Sequence, residues 1–145
     1  MKYIVEIEIN KPREEMLALF DNAENLQLWM PGLVSYDQLS GEPGHVGATS
    51  KFVVSAGNRP CEMIETITVK NMPVEFTATY ETDGMWNQVK NIFDEVDKQT
   101  TKWTAYNEFR SEKLMMKLMM LLMPWAFKKE SMKFMQSFKA FAEKH

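Results

Sequence analysis

Glu65, in "CEMIETITV", and Tyr80, in "VEFTATYET", are the side chains whose types and placement fit proton transfer. In an extended chain Glu65 shares a face with Met63, Ile67 and Val69, and Tyr80 shares one with Val74, Phe76 and Ala78. A carboxyl held among apolar side chains has a raised pKa and can serve as acid or base, whereas a glutamate near a strand end is simply solvated. Three carboxamides come next. Asn87 and Asn91 alternate with Val89 and Phe93, and Asn107 lies on the side of Trp103, Ala105 and Phe109. On one concave face these amides would be costly in a dry core and fit a hydrated cavity or a guest carrying oxygen. A bulge would instead turn them to solvent. Elsewhere the chemistry is thin. Cys61 is the lone cysteine and has no neighbouring histidine, His45 occupies a hairpin tip in "GEPGHVGA", and His145 is terminal. No metal-ligand spacing, P-loop or dinucleotide fingerprint is present, so no metal or cofactor is expected. Arg59, in "GNRP", is the isolated cation best suited to an anionic head group, and reads also as an exposed turn residue.

These residues need strands to hold them. "KYIVEIEI" alternates Tyr3, Val5, Ile7 and Ile9 with charged residues, the period of a half-buried strand. "NKPREEMLALF" then carries a capping Asn10, an early Pro12, acidic first-turn residues and Met16, Leu17 and Phe20 at helical spacing. "AENLQLW" reads as a second short helix ending before Pro31 and Gly32. From there to residue 111 six strand-like runs follow, separated by "EPGHVG", "GNRP", "KNMP", "DG" and "DKQ". Such short connections pair neighbours antiparallel, which makes seven strands in all. Beyond residue 112 the chain reads as helix, kinked or divided at Pro124, with Phe127, Phe134, Phe138 and Phe141 along one face.

Length, 145 residues, fits one domain spanning 1–145. With 17 basic and 20 acidic residues the chain lacks the field that attracts nucleic acid, and none is expected as a partner. The charge is uneven, however: residues 112 to 145 carry +4 and the remainder −7. The lone cysteine and the absence of a leader-like apolar run point to a reduced, cytoplasmic protein.

The stretch "KLMMKLMMLLMPWAFKK" poses a separate question, because it is apolar nearly all round. Its apolar part, 114 to 127, is too short to span a bilayer, which takes about 20 residues. Burial of its Met and Leu side chains is worth roughly 1.5–3 kcal/mol each, so a cover is expected. The candidates are the protein's own sheet, a bound guest, a second copy making a homodimer, or a peripheral membrane contact.

The order strand, two short helices, six strands and long C-terminal helix resembles the helix-grip fold. The residues "INKP", "LQLWMPG", "GEPGHVGATSKFVV" and "CEMIETITVKNMPVEFTATYE" resemble the polyketide cyclase/dehydrase branch of the START and Bet v 1-like (SRPBCC) superfamily. The resemblance implies an α+β fold whose curved seven-stranded antiparallel sheet wraps a long C-terminal helix around a cavity. It also implies a hydrophobic or amphipathic ligand, such as a lipid, sterol or polyketide, bound for transport, storage or sensing. A cyclase- or hydrolase-like enzyme and a protein-interaction or chaperone-cofactor module are the alternatives. Met63, Phe76, Tyr80, Asn87, Asn91 and Phe93 are expected to contact the guest from the sheet, together with Trp103 and Asn107. From the C-terminal segment Met116, Met120, Phe127 and Phe134 are expected to do so, and Glu65 and Tyr80 are the candidate catalytic groups.

Overall fold

The computed structural model describes residues 1–145 apart from the side chain of Ala56. Strand β1 (Lys2–Ile9) leads into α1 (Arg13–Phe20), a 3-10 turn (Ala23–Asn25) and α2 (Leu26–Trp29). Strands β2 (Leu33–Ser40), β3 (Thr49–Ala56), β4 (Arg59–Asn71), β5 (Glu75–Thr82), β6 (Met85–Asp97) and β7 (Thr100–Ser111) follow in succession. They form one antiparallel sheet in the order β1-β7-β6-β5-β4-β3-β2. Thus β2 to β7 pair as successive hairpins, while α1 and α2 carry the chain from one edge of the sheet to the other.

Local rules account for most of these boundaries. At the β5 to β6 turn both Asp83 (φ 29°) and Gly84 (φ 78°) lie in the left-handed region, as a two-residue hairpin of the favoured twist requires. Two local expectations are corrected. Asn10 does not cap α1: Pro12 stands at the N-cap, and the Asn10 backbone N–H instead donates to Glu143 Oε2 at 2.7 Å. A bulge in β4 between Ile67 and Val69 turns Val69 off the face of Met63, Glu65 and Ile67. Val69 is 39% exposed as a result.

The core lies between the C-terminal helix and the β1, β7, β6 side of the sheet. Met135, Phe138, Phe141 and Ala142 pack there against Val5, Ile9, Phe93 and Trp103, with Met16, Leu17 and Trp29 closing the ends. The Phe138 ring stands edge-on to Trp29 at 4.9 Å and to Phe20 and Trp103 at 5.6 Å. Hydrogen bonds fix the helix along β1. Tyr3 Oη donates to the Phe127 carbonyl at 3.1 Å and pairs with Ser131 Oγ at 2.7 Å, and Lys139 Nζ donates to the Glu8 carbonyl at 2.6 Å. Ser137 Oγ donates to the Trp29 carbonyl.

Pro124 separates two helices: α3 (Leu114–Leu122) ends at Met123 (φ −130°), and α4 (Pro124–Ala142) begins with the proline at its first position, where a missing N–H costs nothing. The division overturns the expectation that the Met-rich run is covered by its own sheet. Only Met116 and Met120, at i and i+4, sit half-buried toward the body, whereas Leu114 is 81% and Leu122 65% exposed. The reorientation at Met123 gives the concave face to α4 alone and leaves α3 beside it. Among the described residues no helix is long and apolar enough to cross a membrane.

Candidate functional site

Because α4 packs toward the β1 edge, the concave face of β3 to β6 is left unfilled, and a cavity of about 980 Å³ opens between the sheet, α2 and α4. The register explains its walls. Ser50, Glu65, Tyr80, Asn87 and Phe109 are successive cross-strand partners from β3 to β7, so an inward Glu65 requires the others to face inward too. Gln38 on β2 extends this row.

Hydrogen bonds link its members. Tyr80 Oη donates to Glu65 Oε2 at 2.8 Å, Ser50 Oγ donates to Gln38 Oε1 at 3.2 Å, and Tyr36 Oη pairs with Ser50 Oγ at 3.1 Å. Burial pushes the Glu65 carboxyl above the usual carboxylate range, and the bond from Tyr80 only partly offsets this. The Tyr80 hydroxyl is driven well above its ordinary value, first by burial and then by the Glu65 charge. Glu65 therefore retains its proton to higher pH than a free glutamate, while Tyr80 remains a donor.

The three asparagines all reach the cavity wall, since β6 shows no register shift between Asn87 and Asn91. Their duties differ. Asn91 is committed to structure, donating to the Phe76 carbonyl at 3.1 Å and accepting from Trp103 Nε1 at 2.8 Å. Asn87 donates to the Glu108 carbonyl at 3.0 Å, and Asn107 makes one long bond of 3.4 Å to the Ala105 carbonyl. The side-chain oxygens of both have no hydrogen-bond partner among the described residues.

Met63, Phe76 and Trp103 line the cavity from the sheet, and Phe127 and Phe134 from α4. Phe93 does not: it is fully buried in the core behind the wall, between Phe20 and Trp103. Met116 and Met120 are also off the wall, because the turn of α3 that brings them to the body presents Met119 to the cavity instead. Arg59 is an exposed strand-end residue outside the cavity, and His45 is an exposed turn residue hydrogen-bonded to the Pro43 carbonyl. Cys61 lies on the wall, 3.3 Å from Thr82 Oγ1.

Several wall residues escaped the sequence reading. Phe20, Leu26, Trp29 and Met30 close the cavity from α1 and α2, and Lys70 enters because the bulge at Ile67 reverses the strand's alternation. Ser50 was legible in principle, since it alternates with Phe52 and Val54 in "TSKFVV". Trp29 carries the sharpest signal. It is nine-tenths buried, yet its Nε1–H has no acceptor among the described residues. An orphaned buried donor costs about 1–3 kcal/mol, so an acceptor oxygen supplied from the cavity would relieve it.

No family model matches the chain, and no curated protein sequence matches it. Solved structures do match. An aromatase/cyclase from Streptomyces superposes with a TM-score of 0.82 at 8% identity, covering 99% of this chain and 93% of its own. A conserved protein from Geobacillus kaustophilus gives 0.81 at 14% identity, covering 99% and 96%. Norcoclaurine synthase from Thalictrum flavum, in complex with dopamine and hydroxybenzaldehyde, gives 0.76 at 12% identity, covering 100% and 87%. The chain has the helix-grip fold. In this helix-grip protein the α4 phenylalanines divide their work: Phe138 and Phe141 fill the core, and Phe127 and Phe134 face the chamber.

Replacing Glu65 by glutamine keeps an acceptor for Tyr80 and removes a buried charge. A carboxyl whose folded pKa is raised costs nothing below its unfolded pKa and destabilises the fold as pH rises through the folded value. Glu65→Gln is therefore expected to match wild type in acid and to become the more stable of the two as pH rises above the ordinary carboxylate range. Urea unfolding across this range, which would show a constant difference if Glu65 were ordinarily solvated, is the check.

Proposed function

We propose that this protein binds a mainly apolar small molecule bearing one or more oxygen atoms, of the lipid, sterol or polyketide-like class, for transport, storage or sensing. The observation that carries this reading is a polar row, Ser50, Glu65, Tyr80 and Asn87, set in the otherwise mainly apolar wall of a cavity of about 980 Å³. That volume stands at the upper end of the ~300–1,000 Å³ typical of small-molecule sites. The apolar wall supplies affinity; the row and the free Trp29 donor orient an oxygenated end. Similarity to a synthase that holds two small aromatic molecules lends support, as far as fold can.

The test is mass spectrometry of protein purified without denaturant, followed by solvent extraction. A retained adduct that denaturation releases is expected, as is uptake of the apolar fluorophore N-phenyl-1-naphthylamine by stripped protein. Empty protein that takes up no fluorophore would end the proposal.

One observation favours a second reading, catalysis of cyclase or hydrolase type. Glu65 and Tyr80 form a buried hydrogen-bonded acid pair on the wall, and burial raises the carboxyl above the usual carboxylate range, the direction that favours its use as a proton donor. Turnover of a linear polyketide thioester by wild type and not by Glu65→Gln, with fluorophore uptake intact in both, would move the protein from carrier to catalyst.

A further inference from the structure

The outward face of α3 is as apolar as a core helix and is covered by none of the described residues. Leu114, Leu118 and Leu122 stand at i, i+4 and i+8, flanked by Met115 and Leu121, and no polar side chain interrupts them. Trp125, 60% exposed, continues the patch past the break at Pro124. Lysines outnumber acids at its border, where Glu112 and Glu130 are the exposed carboxylates. Lys117, Lys128 and Lys129 are exposed and make no ion pair among the described residues, in contrast to Lys113, which is tied to Asp83 at 2.8 Å.

We infer that α3 and the first turn of α4 dock this protein on an anionic lipid surface. A bilayer with acidic head groups complements both features together, taking leucine and methionine side chains below the head groups while the lysines meet phosphate and carboxylate. Exposed tryptophan suits the same boundary, with an apolar ring and a polar N–H. The nine residues of α3 rise about 14 Å, less than half the ~30 Å hydrocarbon core, so the helix lies in the interface plane and does not cross. The rest of the chain orients the approach: residues 112 to 145 carry +4 and the remainder −7, so an acidic surface attracts this end and repels the body.

A second copy is the less suitable cover, because a symmetric contact through α3 would bring the unpaired lysines of both copies around one apolar seam. Docking also has a geometric consequence for the cavity. Met119 of α3 and Ala126 and Phe127 of α4 belong to its wall, so the lipid surface is brought against that side of the chamber. The inference stands independently of what the cavity holds, since vesicle binding and fluorophore uptake are separate readouts.

The experiment is co-sedimentation of the full chain with vesicles of phosphatidylcholine alone and of phosphatidylcholine containing phosphatidylglycerol, at low and high salt. Wild type is expected to sediment with the anionic vesicles, to be released by salt, and to bind neutral vesicles far more weakly. The triple variant Leu114→Ser, Leu118→Ser, Leu122→Ser is expected to stay in solution with either composition. Lys117→Gln, Lys128→Gln, Lys129→Gln is expected to lose on the order of a hundredfold in affinity for anionic vesicles, at roughly fivefold per lysine. Both variants alter exposed side chains off the cavity wall and should keep wild-type circular dichroism and N-phenyl-1-naphthylamine uptake. Wild type left in the supernatant, equal binding to neutral vesicles, or binding untouched by the leucine substitutions would overturn the inference. So would a dimer in sedimentation equilibrium, abolished by those substitutions, in place of vesicle binding.

Discussion

Phe138→Ala is expected to lower the free energy of unfolding by about 3–5 kcal/mol, the range for removing a large aromatic side chain from a packed interior. Phe138 is fully buried, and four rings meet it at 4.9–6.3 Å: Trp29, Phe20, Trp103 and Phe141. These come from α1, α2, β7 and α4, so the ring joins the helical crossover to the sheet and no single neighbour can close the void. Such a loss is a large part of the roughly 5–15 kcal/mol that holds a domain of this kind together. Phe134→Ala is the natural control. Phe134 lies four residues earlier on the same helix but is half-buried and faces the chamber, so its removal enlarges existing space and forfeits contacts on one side only. Urea denaturation of both variants should place Phe138→Ala well below Phe134→Ala. Equal losses would mean that α4 is held by its whole apolar face and not by the Phe138 cluster.

Val89→Trp is expected to weaken uptake of N-phenyl-1-naphthylamine by at least about tenfold, or 1.4 kcal/mol, while changing stability by no more than about 1–3 kcal/mol. Val89 lies on β6 between Asn87 and Asn91, on the cavity wall and only half-buried, so a larger side chain there projects into open volume and not into packed atoms. It is the cross-strand partner of Ala78 and Asn107, which places the introduced indole over the middle of the concave face. Fluorescence titration measures the loss, and circular dichroism establishes that the fold persists. Undiminished uptake by a folded Val89→Trp protein would locate the fluorophore elsewhere. In that event the exposed leucines of α3 become the first place to look.

Pattern with a short range was legible along the chain. The period-two alternation of "KYIVEIEI" and of the six later runs established the strands, because a strand buried on one face must alternate. Turn residues set their antiparallel order: "DG" became a two-residue hairpin with both residues at positive φ. The same alternation allowed Glu65 and the asparagines to face inward but left a bulge open as the alternative, and the structure places them inward because the register runs there without a shift. The alternation failed at Val69 and Lys70 for the complementary reason. One extra residue in β4 exchanges the faces, and nothing in "TITVKN" announces the bulge.

Composition determined that residues 114 to 127 are apolar, and Pro124 that the helix is interrupted there, but neither says which way the chain turns at an interruption. The direction depends on what already occupies the concave face. The phenylalanines of α4 fill it beside β1 and β7, so α3 is left outside with its leucines in solvent, and the volume over β3 to β6 remains open. Trp29 entered the cavity wall by the same route, through the packing of α2 on α4 and not through any local periodicity. Strands, turns and the faces of side chains are thus properties of neighbouring residues, readable in order along the chain. An internal chamber and an exposed apolar helix are differences between volumes contributed by distant segments, and they exist only once those segments have met.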